Sequence, residues 1–209
     1  MSSTAPTIPA DGHVLILRTS NADGTSKNNF RWPESGPVEC PDWEPTAECG
    51  HGLHGALWGE GAGSLFRWEA DARWQVVEVA AADVIDLTGK VKYPRGVVVF
   101  SGDRLNATGY LSEHGGAGRV VIGGTATAGY YGTATAGDNG TATAGYSGTA
   151  TAGNNGTATA GNDGIVELRW YDGSRYRITV GYIGEDGLLP SVAYRCDSAG
   201  KIVPAQVTV

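Results

Sequence analysis

Residues 124–163 repeat one eight-residue unit five times: Gly-Thr-Ala-Thr-Ala-Gly recurs unchanged from 124, 132, 140, 148 and 156, each time followed by a variable pair. A fixed short period is the mark of a stack in which no unit buries its own apolar face alone. Thr-Ala-Thr-Ala reads as a four-residue strand with threonines on one face and alanines on the other. Alanine is the unit's only apolar side chain, so it must line the inside. That leaves Thr125, Thr127, Thr141, Thr143, Thr157 and Thr159 pointing outward.

The variable pairs Tyr130-Tyr131, Asp138-Asn139, Tyr146-Ser147, Asn154-Asn155 and Asn162-Asp163 fall at the corners, where Gly and Asn are expected to take positive φ. With two octads per coil, Tyr130 stacks beneath Tyr146 and Asp138 beneath Asn154. With three, Tyr130 would meet Asn154. Like on like favours a two-sided β-solenoid of 16 residues per coil. The flanking Gly116–Gly123 and Gly164–Leu168 keep the spacing and bring larger apolar residues to close its ends.

The repeat divides the chain into a disordered N-terminus at 1–12, an α+β domain at 13–114, the solenoid at 115–164 and a β-meander cap at 165–209. In the first domain, His13–Thr19, Trp74–Ala80 and Val97–Phe100 read as strands. Ser64–Arg73 reads as a short helix, and Asp103–His114 as another with Asp103 at its N-cap. In the last segment, Asp172-Gly173 marks a hairpin turn.

Composition excludes several classes. The 33 glycines concentrate between 115 and 164, so they report local architecture and not general disorder, and a charged fraction of 18% agrees. With a net charge of −7 and scattered basic residues, no basic nucleic-acid-binding face is expected. Three cysteines give no disulfide framework and point to a reducing compartment. The start carries no secretory signal and no stretch is long enough to span a membrane, so the host-cell cytoplasm is the expected location.

Read from Ala128, the unit becomes Ala-Gly-Tyr-Tyr-Gly-Thr-Ala-Thr, which is similar to the octads of bacterial ice-nucleation proteins. The resemblance implies 16-residue coils, outward Thr-x-Thr rows and stacked corner tyrosines. Gly132, Gly140, Gly148 and Gly156 depart from it, standing where that family usually has Ser. The whole chain resembles a family of uncharacterised phage and prophage proteins, through Trp32-Pro-Glu-Ser-Gly36, Cys49-Gly-His-Gly-Leu-His54 and Gly89-Lys-Val-Lys-Tyr-Pro-Arg-Gly96.

The chemically richest stretch runs from Cys40 to His54. Cys40, Cys49, His51 and His54 are four candidate zinc ligands, but the eight-residue gap between the cysteines fits no compact zinc-finger spacing. Buried thiols and hydrogen-bonded imidazoles outweigh a metal site, and no cofactor is expected. A fold-level analogy to ADP-ribosyltransferases nominates Arg18, His54, Tyr93 and Glu113, with Glu78 as a second source of the carboxylate. A Cys49/His54 nucleophile pair is weaker, and Gly59-Glu-Gly-Ala-Gly63 lacks the βαβ setting of a dinucleotide loop.

The favoured expectation is a non-catalytic interaction protein. A small ligand or a host or phage protein would bind near Trp32, Trp43, His51, His54 and Trp58, and the solenoid would act as a rigid spacer. Tyr130, Tyr131 and Tyr146 form an aromatic strip suited to homodimerisation. An enzyme in the same cleft is the second reading, with Glu78 or Glu113 beside His54 as its requirement. Weak ice binding through the threonine rows is the third, set against an array only about 12 Å tall at the usual strand spacing.

Overall fold

The computed structural model describes residues 12–205. The disorder expected of 1–12 therefore lies, Gly12 apart, outside the described residues. The chain divides into two compact units, Met1–Arg119 and Val120–Val209.

Unit 1 holds strands β1 (His13–Ser20), β2 (Gly36–Glu39), β3 (Leu53–Leu57), β4 (Arg73–Ala80), β5 (Ile85–Asp86), β6 (Val91–Tyr93) and β7 (Arg95–Gly102), then helix α1 (Arg104–Leu111). They form one sheet of order β2-β7-β4-β1-β3-β6-β5 with antiparallel pairings. Val14–Leu17 is buried throughout, as an apolar run in a central strand must be when both its faces are covered. β1 runs beside β4 from His13↔Ala80 to Ser20↔Arg73. On its other side β3 comes so close that a Cβ on Gly55 would lie 2.7 Å from the Leu17 carbonyl oxygen.

The α+β expectation is corrected here: this unit is mostly β with a single α-helix among its described residues. That helix starts where expected, the Asp103 carboxylate accepting from the Asn106 N–H at 3.0 Å. The helix expected over Ser64–Arg73 is only a turn at Gly63–Leu65. Phe66 and Trp68 instead both pack on Trp74, with ring centroids 5.2 Å away in each case. His54 sits near the start of β3.

Unit 2 holds β8 (Thr125–Ala128), β9 (Thr133–Ala136), β10 (Thr141–Ala144), β11 (Thr149–Ala152), β12 (Thr157–Thr159), β13 (Ile165–Tyr171), β14 (Tyr176–Tyr182), β15 (Ala193–Cys196) and β16 (Ile202–Pro204). Two open sheets result, β16-β15-β12-β10-β8 and β14-β13-β11-β9. Within each, the octad strands pair in parallel with partners 16 residues apart, such as Thr125↔Thr141 and Thr133↔Thr149. Alanines 134 to 160 form a buried stripe that ends on Val166, Leu168, Ile183, Leu188 and Tyr194.

Two local expectations change. Positive φ falls on the second variable residue of each turn, including Tyr131 at 55° and Ser147 at 50°, and the glycines of the octads have ordinary φ. Their reason is close approach: a Cβ on Gly132 would stand 2.8 Å from that of Ala128. The C-terminal meander is instead two hairpins. β13 and β14 extend one sheet, while β15 and β16 extend the other. Between them, the Ser191 N–H donates to the Ala160 carbonyl at 2.9 Å, and Ile183 and Leu188 enter the end of the alanine stripe.

Candidate functional site

A cavity of about 520 Å³ opens in unit 1, lined from β1 by Leu17, Arg18 and Thr19, from β3 by Leu53, His54 and Gly55, and by the loops between. Its lining includes Trp32, Cys40, Asp42, Cys49, His51, Phe66 and Lys90. Arg18 is 6% exposed. Its guanidinium donates to Gln75 Oε1 and, at 2.8 Å, to the Thr19 carbonyl, and it lies 3.4 Å from the Trp32 ring centroid. Its Nε–H has no hydrogen-bond partner. Burial lowers the Arg18 pKa to about 9.

Around it the polar groups are already engaged. Asp42 accepts from the Cys40 thiol at 3.0 Å and lies 3.2 Å from His51 Nδ1. Lys90 Nζ donates to Cys49 Sγ at 2.9 Å, which draws that thiol below its ordinary pKa, while burial raises that of Cys40. Burial first, then the neighbouring Lys90, lowers the His54 pKa, and its Nε2 has no partner. Lys92 is fully buried and holds the loop that carries Cys49, donating to the Glu48 carbonyl at 2.9 Å and to Thr46 Oγ1 at 3.3 Å.

Of the expected ligand-binding residues, Trp32, His51 and His54 line this cavity, and Trp43 and Trp58 do not. Trp43 lies 5.5 Å from Lys92 Nζ, and Trp58 is buried beneath Arg119. Neither Glu78 nor Glu113 reaches the lining, so the carboxylate that an enzyme reading requires beside His54 is missing from it. Tyr93 is wholly buried off the cavity, its hydroxyl without a partner and its pKa raised by burial. Among the described residues no three His, Cys, Asp or Glu side chains gather closely enough to hold a metal ion, Cys40, Cys49, His51 and His54 included.

Unit 2 presents two other surfaces. Tyr130 and Tyr131 are 76% and 74% exposed and pack with Tyr146, the centroids lying 5.6 to 6.4 Å apart. Thr125, Thr141 and Thr157 stand in register along one row, with Thr127, Thr143 and Thr159 in the next. On the other sheet, the Thr151 hydroxyl donates to Glu167 at 2.9 Å where the threonine rows stop.

Sequence reasoning missed the outward row of β14, Tyr176, Ile178, Val180 and Tyr182, all exposed. The inward places go to Thr179, which bonds the Gly200 carbonyl, and to Gly181, whose missing Cβ admits Leu188 and Ile202. Gly181 was the available signal. It also missed Gln75, whose amide donates to the Pro33 carbonyl at 2.8 Å and so aims its oxygen at Arg18.

A model described as a domain of unknown function (DUF7666) matches residues 14–113. The chain is 45% identical over 103 residues to an ice nucleation protein of Pseudomonas fluorescens, covering 48% of this chain and 8% of the relative. It is 41% identical over 103 residues to one of Xanthomonas campestris pv. translucens, covering 48% and 7%. To one of Pseudomonas syringae it is 44% identical over 101 residues, covering 47% and 8%. The chain thus spans under a tenth of the length of these relatives. Each match is longer than the repeat at 124–163, so the likeness runs beyond the octads. No solved structure matches.

Proposed function

We propose that the chain is a non-catalytic recognition and assembly protein. Unit 1 takes a ligand in its cavity, and unit 2 is a short β-solenoid that serves as a rigid spacer and self-associates through its tyrosine corner. One observation carries the assembly reading: three aromatic rings pack on one another in solvent at a single corner, two of them about three-quarters exposed. Water-facing aromatics of this kind are what interfaces recruit. The kinship in sequence with ice nucleation proteins supports a non-catalytic role, and the cavity's lack of Glu78 and Glu113 removes the motive for an enzyme. Phage or prophage origin and residence in a host cytoplasm belong to the same proposal. They rest on the segments at 32–36, 49–54 and 89–96 and on three free thiols.

The test is the native mass of the full chain and of a Tyr130→Ala/Tyr146→Ala variant. A dimer lost in the variant supports the proposal, and a monomer in both would sink it. A second reading, weak ordering of water, is favoured by the in-register threonine rows and by the likeness to ice nucleation proteins. Thermal hysteresis in the purified protein, abolished by Thr141→Tyr, is its expected result, and none in the wild type would end it.

A further inference from the structure

We infer that the unit 1 cavity binds a small organic anion, whose carboxylate or phosphate caps the Arg18 guanidinium and whose flat body lies against Leu65 and Phe66. The inference rests on the reading of unit 1 as the ligand-recognising unit and adds the chemistry of the ligand.

Arg18 sits on the central strand, nine-tenths buried, yet both groups it bonds are neutral. No ion pair joins it to a carboxylate among the described residues. Removing an unpaired charge from water is among the costliest things a fold can do, and Arg18, which lines the cavity, keeps its Nε–H without a partner and has no carboxylate to offset its charge. Its lowered pKa reports the same uncompensated burial.

The group is also held for the purpose. Trp32 packs against it and Gln75, fixed by Pro33, orients it, so the guanidinium is held in place before any ligand arrives. The other groups facing the cavity agree in sign. Lys27 and Lys90 add positive charge, and the single carboxylate, Asp42, is taken up by Cys40 and His51. This is a cationic recess in a chain of net charge −7. His54 Nε2 is a further polar atom left unbonded, and about 520 Å³ suits a small molecule.

The test is calorimetric titration of the full chain with benzoate and phenyl phosphate, with benzyl alcohol as their neutral counterpart and inorganic phosphate as the bare ion. One site per chain is expected for an aromatic anion. Benzyl alcohol and inorganic phosphate should each bind at least tenfold more weakly, and Arg18→Met should weaken the anion at least tenfold. Equal binding of benzyl alcohol overturns the anion while leaving ligand recognition standing. Equal binding of inorganic phosphate overturns the organic body. No binding by any probe overturns both readings. Should Arg18→Met fail to fold, the wild type decides: phenyl phosphate must raise its melting temperature above that in chloride of equal ionic strength and change its tryptophan emission, and a null result on both counts defeats the proposal.

Discussion

Two glycines at the same position of different octads separate conformational need from packing need. At Gly153 a Cβ would stand 2.5 Å from the Gly137 carbonyl carbon, whereas at Gly129 it would meet nothing within 4 Å. Neither has a positive φ, so alanine is conformationally admissible at both. Gly153→Ala should therefore cost about 1–3 kcal/mol, the usual effect of overpacking, while Gly129→Ala stays within about 0.5 kcal/mol. Urea titration of the two variants checks the contrast. Asp172 carries a different prediction. Its carboxylate accepts from the Arg175 and Ser174 N–H groups and from the Arg177 guanidinium, which hold its pKa well below the usual carboxylate range. A folded pKa below the unfolded one means that the contribution is complete above the unfolded value, about 4, and is lost as pH falls past it. The melting temperatures of wild type and Asp172→Asn should thus differ most near neutrality and converge below about pH 4.

Among elements, the period of the octads was legible because it leaves alanine as the only candidate for the inside, and the buried stripe is those alanines. β1, β4 and β7 were legible as apolar runs of strand length. β2, β3 and β6 were not, being three to five residues long and interrupted by Gly or Pro, or too short to alternate. β14 shows a deeper limit. Alternation gives two faces but does not say which is inside when a glycine on the weaker face lets Leu188 and Ile202 close over it. The alanine stripe makes the clearest prediction at this scale. Ala150 is fully buried in register between Ala134 and Val166, so Ala150→Val has nowhere to put two methyl groups and should cost about 1–3 kcal/mol. Thr149→Val, one residue away on the outward face, should change stability by less than about 0.5 kcal/mol. Denaturant midpoints at unchanged m-values would confirm that packing alone is altered.

For the whole molecule, Trp32, His51 and His54 were expected at one site and line one cavity, but the place of Arg18 beside them was not legible. The pairing of β1 with β3 brings Arg18 and His54 to one cavity with Trp32 and His51 from the loops, whereas the sequence nominated Arg18 only through a fold-level analogy to ADP-ribosyltransferases. Whether a carboxylate would reach that arginine depends on register, which a single sequence does not contain. The two units each enclose a core of their own, one on β1 and β4 and one on the alanine stripe. Each is thus expected to unfold as its own cooperative step. Five of the six tryptophans, all but Trp170, precede residue 119, so indole fluorescence follows unit 1 while far-ultraviolet circular dichroism follows both. Phenyl phosphate at a hundred times its dissociation constant should stabilise the fluorescence-detected step by about 2.7 kcal/mol and leave the other in place. Gly153→Ala should lower only the other step, to which Trp170 alone among the tryptophans belongs. A single transition, moved equally by the ligand and by the substitution, would mean that the two cores stand or fall together, and the recess around Arg18 would then be coupled to the repeat through the fold itself.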